Sequence, residues 1–108
     1  MKSLVVVFFS MLFVSSLQAE TFNWGELKKE RIDLKLPLLT IQGEKGLLAC
    51  GYVNASTCDK TNEACAIVTG VNSHDEMLAK PIVALSKEAA KLGVSLGMTG
   101  KQALAILR

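Results

Sequence analysis

The sequence predicts a single small α+β domain, a mixed or antiparallel sheet of about four to five strands with about two to three short helices, mostly in the C-terminal half. Three observations predict it. Between Arg31 and Val53, apolar residues alternate with polar ones or run in short blocks broken by turn residues, as in strands. Ser73-His74-Asp75-Glu76 and Thr99-Gly100-Lys101-Gln102 both have the capping-box form of a helix start. Between them, Ile82, Leu85, Ala89 and Leu92 recur at helical spacing, and Gly93 follows as a left-handed stop.

In chain order, MKSLVVVFFSMLFVSSLQAE comes first. Lys2 supplies a positive start, Leu4 to Val14 is apolar except at Ser10, and small and polar residues lead to Ala19. That order reads as a secretory signal peptide over residues 1–19. A membrane span needs about 20 apolar residues, and this run is shorter even when extended to Leu17. No cysteine lies near the cut to carry a lipid. The protein is therefore expected to be periplasmic or secreted, with no stable membrane span after signal removal. Residues 20–31 read as a loosely ordered N-terminal segment, and residues 32–108 as the α+β domain.

Arg31 to Leu36 alternates as a half-buried strand, Pro37 marks an edge or a break, and Leu38 to Ile41 resumes. Gly43-Glu44-Lys45-Gly46 turns the chain into a buried strand, Leu47 to Val53. Residues 54–62 read as a short helix or a loop, and Ala64 to Thr69 as another apolar strand closed by Gly70. Ser73 caps a short helix with Met77 and Leu78 inward. Pro81 suits the first turn of a helix running to about Leu92. Val94 to Leu96 forms a short strand, and Thr99 starts a closing helix carrying Ala103, Leu104 and Leu107.

Loss of the leader leaves 89 residues, enough for one domain, with eleven basic residues against ten acidic. Lys28-Lys29 is interleaved with Glu26 and Glu30, a solvated stretch and not the one-sided basic face of a nucleic-acid binder.

The segments KGLLACGYVN, AIVTGV and EMLAKPIVALSKEAAKLGVSLGMTGKQAL are similar to the YunC-like family, a bacterial and archaeal domain of unknown function of the DUF1805 type. The resemblance spans about residues 32–108 and is most specific in its C-G-Y-x-N, T-G-V and G-M-T-G segments. It implies a small α+β domain whose N-terminal β region makes homo-tetramers, and it implies no activity. Cys50 matches the family's C-G-Y, whereas Cys58 and Cys65 fall outside its pattern, and an export signal departs from its cytosolic members.

The three cysteines have no close pair and the single histidine, His74, stands apart, so no metal site is expected and no cofactor is implied. A Cys-x-x-Cys redox motif is absent. Cys50 as nucleophile with His74 as base is the weak catalytic candidate, set against Cys50 as a small buried residue. In an oxidising compartment two thiols pair. Turn-rich residues 59–63 allow Cys58 and Cys65 to meet, leaving Cys50 free; Cys50–Cys65 across adjacent strands is the rival. Gly93 to Gln102 hints at a phosphate loop but fails it, because Ser95 and Gln102 occupy key positions. Thr99 and Gly100, at the start of the closing helix, remain weak binding candidates through free amides, as do Asn54 and Thr69 beside Cys50. Asn54-Ala55-Ser56 is a glycosylation sequon of consequence only in a eukaryotic secretory pathway.

Two functions fit. One is a non-enzymatic, exported, homo-oligomeric module that binds a ligand or partner of unknown chemistry. The other is a small hydrolase or thiol-dependent enzyme centred on Cys50. The lack of a credible catalytic constellation favours the first.

Overall fold

The computed structural model of the protein describes residues 21–108, and the signal peptide expected over residues 1–19 lies outside the described residues. β1 (Lys28–Asp33) and β2 (Pro37–Gln42) form an antiparallel hairpin from Lys28↔Gln42 to Asp33↔Pro37. Pro37 takes the first position of its strand, where a missing N–H is tolerated. The turn at Gly43–Gly46, closed by the Gly43 N–H on the Gly46 carbonyl at 2.8 Å, leads into β3 (Leu47–Ala49), antiparallel to β2. The chain then crosses through α1 (Ala55–Thr61) and returns as β4 (Cys65–Ile67), parallel to β3. After α2 (His74–Ala79), β5 (Ala84–Leu85) pairs antiparallel with β4, and α3 (Lys87–Leu92) and α4 (Gly100–Leu107) follow. The five-stranded mixed sheet has the order β1-β2-β3-β4-β5, and the helices fall mostly in the C-terminal half.

Register divides the sheet into two faces, because directly paired residues point the same way and neighbours alternate. On one face Ile41, Leu48 and Ala66 align. They join Leu39, Met77 of α2, and Ala103, Leu104 and Leu107 of α4 in the main core. On the other face Ala49 and Ile67 align, beside Leu47 and Cys65. Here α1 packs against β4, and Cys58 of α1 lies at disulfide distance from Cys65, with α-carbons 6.2 Å apart. That helix does not extend over the hairpin. Ile32, paired with Leu38 on the same face, is 54% exposed.

Several local expectations are corrected. β1 opens at Lys28, ahead of Arg31. Leu27 is buried, and Phe22 and Trp24 pack on the core. The strand expected over Leu47 to Val53 stops at Ala49, and Gly51 and Tyr52 are exposed. Among the described residues four helices form where two to three were expected, because the stretch read as helix or loop is α1. It is capped by the Asn54 side chain on the Ser56 N–H at 2.8 Å and ends at left-handed Asn62.

The helix expected from Pro81 begins only at Lys87. Residues 81–85 spend their backbone groups on other partners: Pro81 bridges to Thr99, Ile82 N–H donates to the Met98 carbonyl, and Val83 N–H to that of Ile67. Ser86 then caps α3 from a fully buried position, and Leu92, expected on the apolar stripe, is 43% exposed. Val94 to Leu96 forms no strand. At α2, Ser73 Oγ accepts from the Glu76 N–H at 3.1 Å, but the Glu76 carboxylate reaches back to the Asn72 N–H, one residue beyond a capping box. At α4 the box between Thr99 and Gln102 is complete.

Candidate functional site

The carboxyl ends of β3 and β4 open on a cavity of about 500 Å³. Leu36 and Pro37 wall it from the hairpin turn and the start of β2, Cys50, Gly51 and Tyr52 from the segment after β3, and Thr69 to Asn72 from the segment after β4. Antiparallel β2 begins at the sheet end where β3 finishes, and parallel β4 finishes there too. That topology gathers three stretches far apart in sequence. Gly70 turns the second loop with φ +70°, a conformation a side chain would strain. Among the described residues no charged one lines the cavity.

Cys50 sits at its inner wall, 4% exposed. Its sulfur accepts the Leu39 N–H at 3.3 Å, its thiol faces the Pro37 carbonyl at 3.9 Å, and its own N–H donates to the Leu39 carbonyl at 3.1 Å. The side chain thus stands in for a backbone acceptor where β3 ends and the β2–β3 ladder would otherwise lose a bond. Among the described residues its hydrogen-bond partners are backbone groups, none of them a general base.

Of the residues singled out from the sequence, the structure brings Cys50 and Thr69 to this cavity. His74 is not among its lining residues; its Nε2 lies 2.9 Å from the Glu30 carbonyl, which fastens α2 to β1. Asn54 serves as the α1 cap. Thr99 and Gly100 are committed to the start of α4: Thr99 N–H donates to Gln102 Oε1 at 2.9 Å, Gln102 N–H to Thr99 Oγ1 at 3.1 Å, and Gly100 N–H to the Lys80 carbonyl at 2.9 Å. Those bonds occupy amides that the sequence left free for an anion. Tyr52 and Asn72 line the cavity and were not singled out. Tyr52 adjoins Cys50 in C-G-Y and was legible to that extent; Asn72 carries no local signal. Among the described residues no group of three or more His, Cys, Asp or Glu side chains is placed to hold a metal, and no helix is long and apolar enough to cross a membrane.

The profile of a domain of unknown function, DUF1805, matches residues 49–107. The chain belongs to the DUF1805 family. The matched stretch of this DUF1805 domain contains both strand-end loops of the cavity and omits the β1–β2 hairpin. The crystal structure of a protein of unknown function, TA1206, from Thermoplasma acidophilum is similar to it over 82% of this chain and 100% of that one, at 28% identity and a TM-score of 0.67. No curated protein matches this chain significantly.

Proposed function

We infer that this DUF1805 domain is an exported, disulfide-crosslinked, non-enzymatic module that works as a homo-oligomer through its β1–β2 hairpin. One observation carries the reading: the hairpin is apolar where nothing covers it. Ile32, Leu34 and Leu36 are 54%, 50% and 63% exposed, while every residue of β1 is solvent-exposed. Covering the exposed half of each such side chain is worth about 1 kcal/mol, and β1 is an outer strand of the sheet, whose free edge invites another chain. The tetramers implied by the YunC-like resemblance point the same way.

A native mass spectrum of the mature protein from its own cells tests this. The expected result is an oligomer, with a tetramer favoured, whose chains begin at Glu20. Ile32→Glu with Leu34→Glu is expected to give monomers that still unfold cooperatively, since both side chains are exposed. A wild-type protein that is monomeric at all concentrations overturns the oligomer; one recovered from the cytosol with Met1 in place and all three thiols free overturns export.

The alternative, a thiol-dependent enzyme or small hydrolase centred on Cys50, draws on the position of that residue at a cavity. Its buried, hydrogen-bonded sulfur favours a structural role. Thiol labelling separates the two readings and tests the crosslink at once. Native protein is expected to resist labelling, and unfolded, unreduced protein to take up label at Cys50 alone. Rapid native labelling supports the enzyme, and label at Cys58 or Cys65 removes the crosslink. Reduction of the Cys58–Cys65 pair is expected to cost about 2.5 kcal/mol, the chain-entropy value for so short a loop, read as a drop in the urea midpoint.

A further inference from the structure

We propose that the cavity beyond β3 and β4 binds a small uncharged molecule with an apolar body and a carboxamide-like hydrogen-bonding edge. This goes beyond the oligomer reading and does not rest on it: Leu36 belongs to both the cavity wall and the exposed hairpin, but the polar groups of the cavity come from the loops after β3 and β4.

Placement is the first argument. β3 and β4 are the parallel pair of this sheet, joined by the α1 crossover. Side-by-side parallel strands deliver their loops to the same end, and the crevice outside such carboxyl ends is where open parallel α/β sheets hold ligands, a placement that the single parallel pair here shares. Here both loops line the cavity.

Wall chemistry sets the ligand class. Leu36, Pro37 and Val71 offer apolar surface, and Tyr52, Thr69 and Asn72 offer a phenol, a hydroxyl and an amide. Among the described lining residues no counter-charge repays an ion for the water it would shed, a penalty that a neutral amide avoids, and the nearby Arg31 and Glu76 are already engaged by the Asn72 carbonyl at 3.3 Å and the Asn72 N–H at 2.8 Å. A few placed polar groups in a largely apolar cavity of this size is the ordinary make-up of a small-molecule site.

The backbone supplies the third argument. The N–H groups of Gly51, Gly70 and Val71, on the two loops, engage no acceptor among the described residues. Val71 is nonetheless 7% exposed, so its amide belongs to a residue largely withdrawn from water. At Gly70, where a Cβ would stand, no atom beyond its chain neighbours lies within 4 Å, so the main chain there is open to a small molecule.

The test uses benzamide, with benzoate and benzylammonium as charged counterparts of similar shape, against the ¹⁵N-labelled mature protein in its native oligomeric state. Benzamide is expected to shift the Gly51, Gly70 and Val71 amide resonances saturably, with a dissociation constant on the order of 1 mM, as suits so small a probe. The charged probes are expected to bind at least about five-fold more weakly. Thr69→Phe, which sets a ring at the exposed mouth, is expected to weaken benzamide binding by about five-fold or more. If that variant loses cooperative unfolding, Asn72→Ala is measured in its place, with weaker binding expected. Absence of saturable shifts, equal or tighter binding of benzoate, or shifts centred elsewhere overturns the proposal. So does binding seen only in the monomeric Ile32→Glu/Leu34→Glu variant, which would mean that a second copy of the chain fills the cavity.

Discussion

Alanine at Gly100 is expected to cost the domain about 3 kcal/mol or more and to lower its Tm by about 15 °C. Gly100 is the first residue of α4 and is buried where α2 and α4 meet. A Cβ there would fall on the Met77 carbonyl oxygen, 2.9 Å from its carbon and 3.2 Å from Leu48 Cδ2. The obstacle is backbone, which cannot rotate away as a side chain end can. Relief requires α2 and α4 to part, which would stretch the 2.9 Å bond from Gly100 N–H to Lys80 and loosen Met77 and Leu104, both fully buried. Urea denaturation measures the loss. A change below about 1 kcal/mol would mean that the two helices do not approach this closely.

Ser86→Ala is expected to cost about 2–3 kcal/mol. Ser86 is fully buried, and its one hydroxyl ties together β4, α3 and the connection between α1 and β4. It accepts the Cys65 N–H of β4 at 2.9 Å and the Ala89 N–H of α3 at 3.3 Å, and it donates to the Glu63 carbonyl at 2.7 Å. Alanine keeps the volume but strands an amide and a carbonyl away from water and removes the α3 cap. An ordinary cap loss is worth about 1 kcal/mol, so a deficit of that size alone would indicate that water replaces the lost bonds. The same denaturation assay decides. Cys65 also belongs to the pair at disulfide distance, so Ser86→Ala and loss of that pair are expected to combine non-additively.

Local chemistry was readable wherever a few neighbouring residues decide the outcome. The capping box of Thr99 and Gln102, the left-handed stop at Gly93 with φ +111°, and the inward set Ala103, Leu104 and Leu107 all stand as the sequence had them. The proximity of Cys58 and Cys65 follows from a short helix that reverses the chain between them. The readings failed where distant strands compete for the backbone. Pro81 to Leu85 has helical spacing and a helix-starting proline, yet Ile67 and Met98 take its amides and hold it extended. Cys50 lies in an apolar run, yet the ladder ends before it because its sulfur, in place of its carbonyl, meets the Leu39 amide.

The cavity shows the same division more sharply. Cys50 and Thr69 stood out by residue type, but nothing in the chain's order says that Leu36 and Asn72 would share a wall with them. That required β3 and β4 to run parallel, a choice made by the α1 crossover and the register Leu47↔Cys65 to Ala49↔Ile67. Sequence by itself determined the α+β class and the caps at Ser73, Gly93 and Thr99, and it favoured the Cys58–Cys65 pair, because short-range geometry and hydrophobic period act over a few residues. Only the tertiary structure decided where the strands end, which hairpin face stays uncovered and which loops enclose the cavity, because those depend on pairings that form only when remote segments meet.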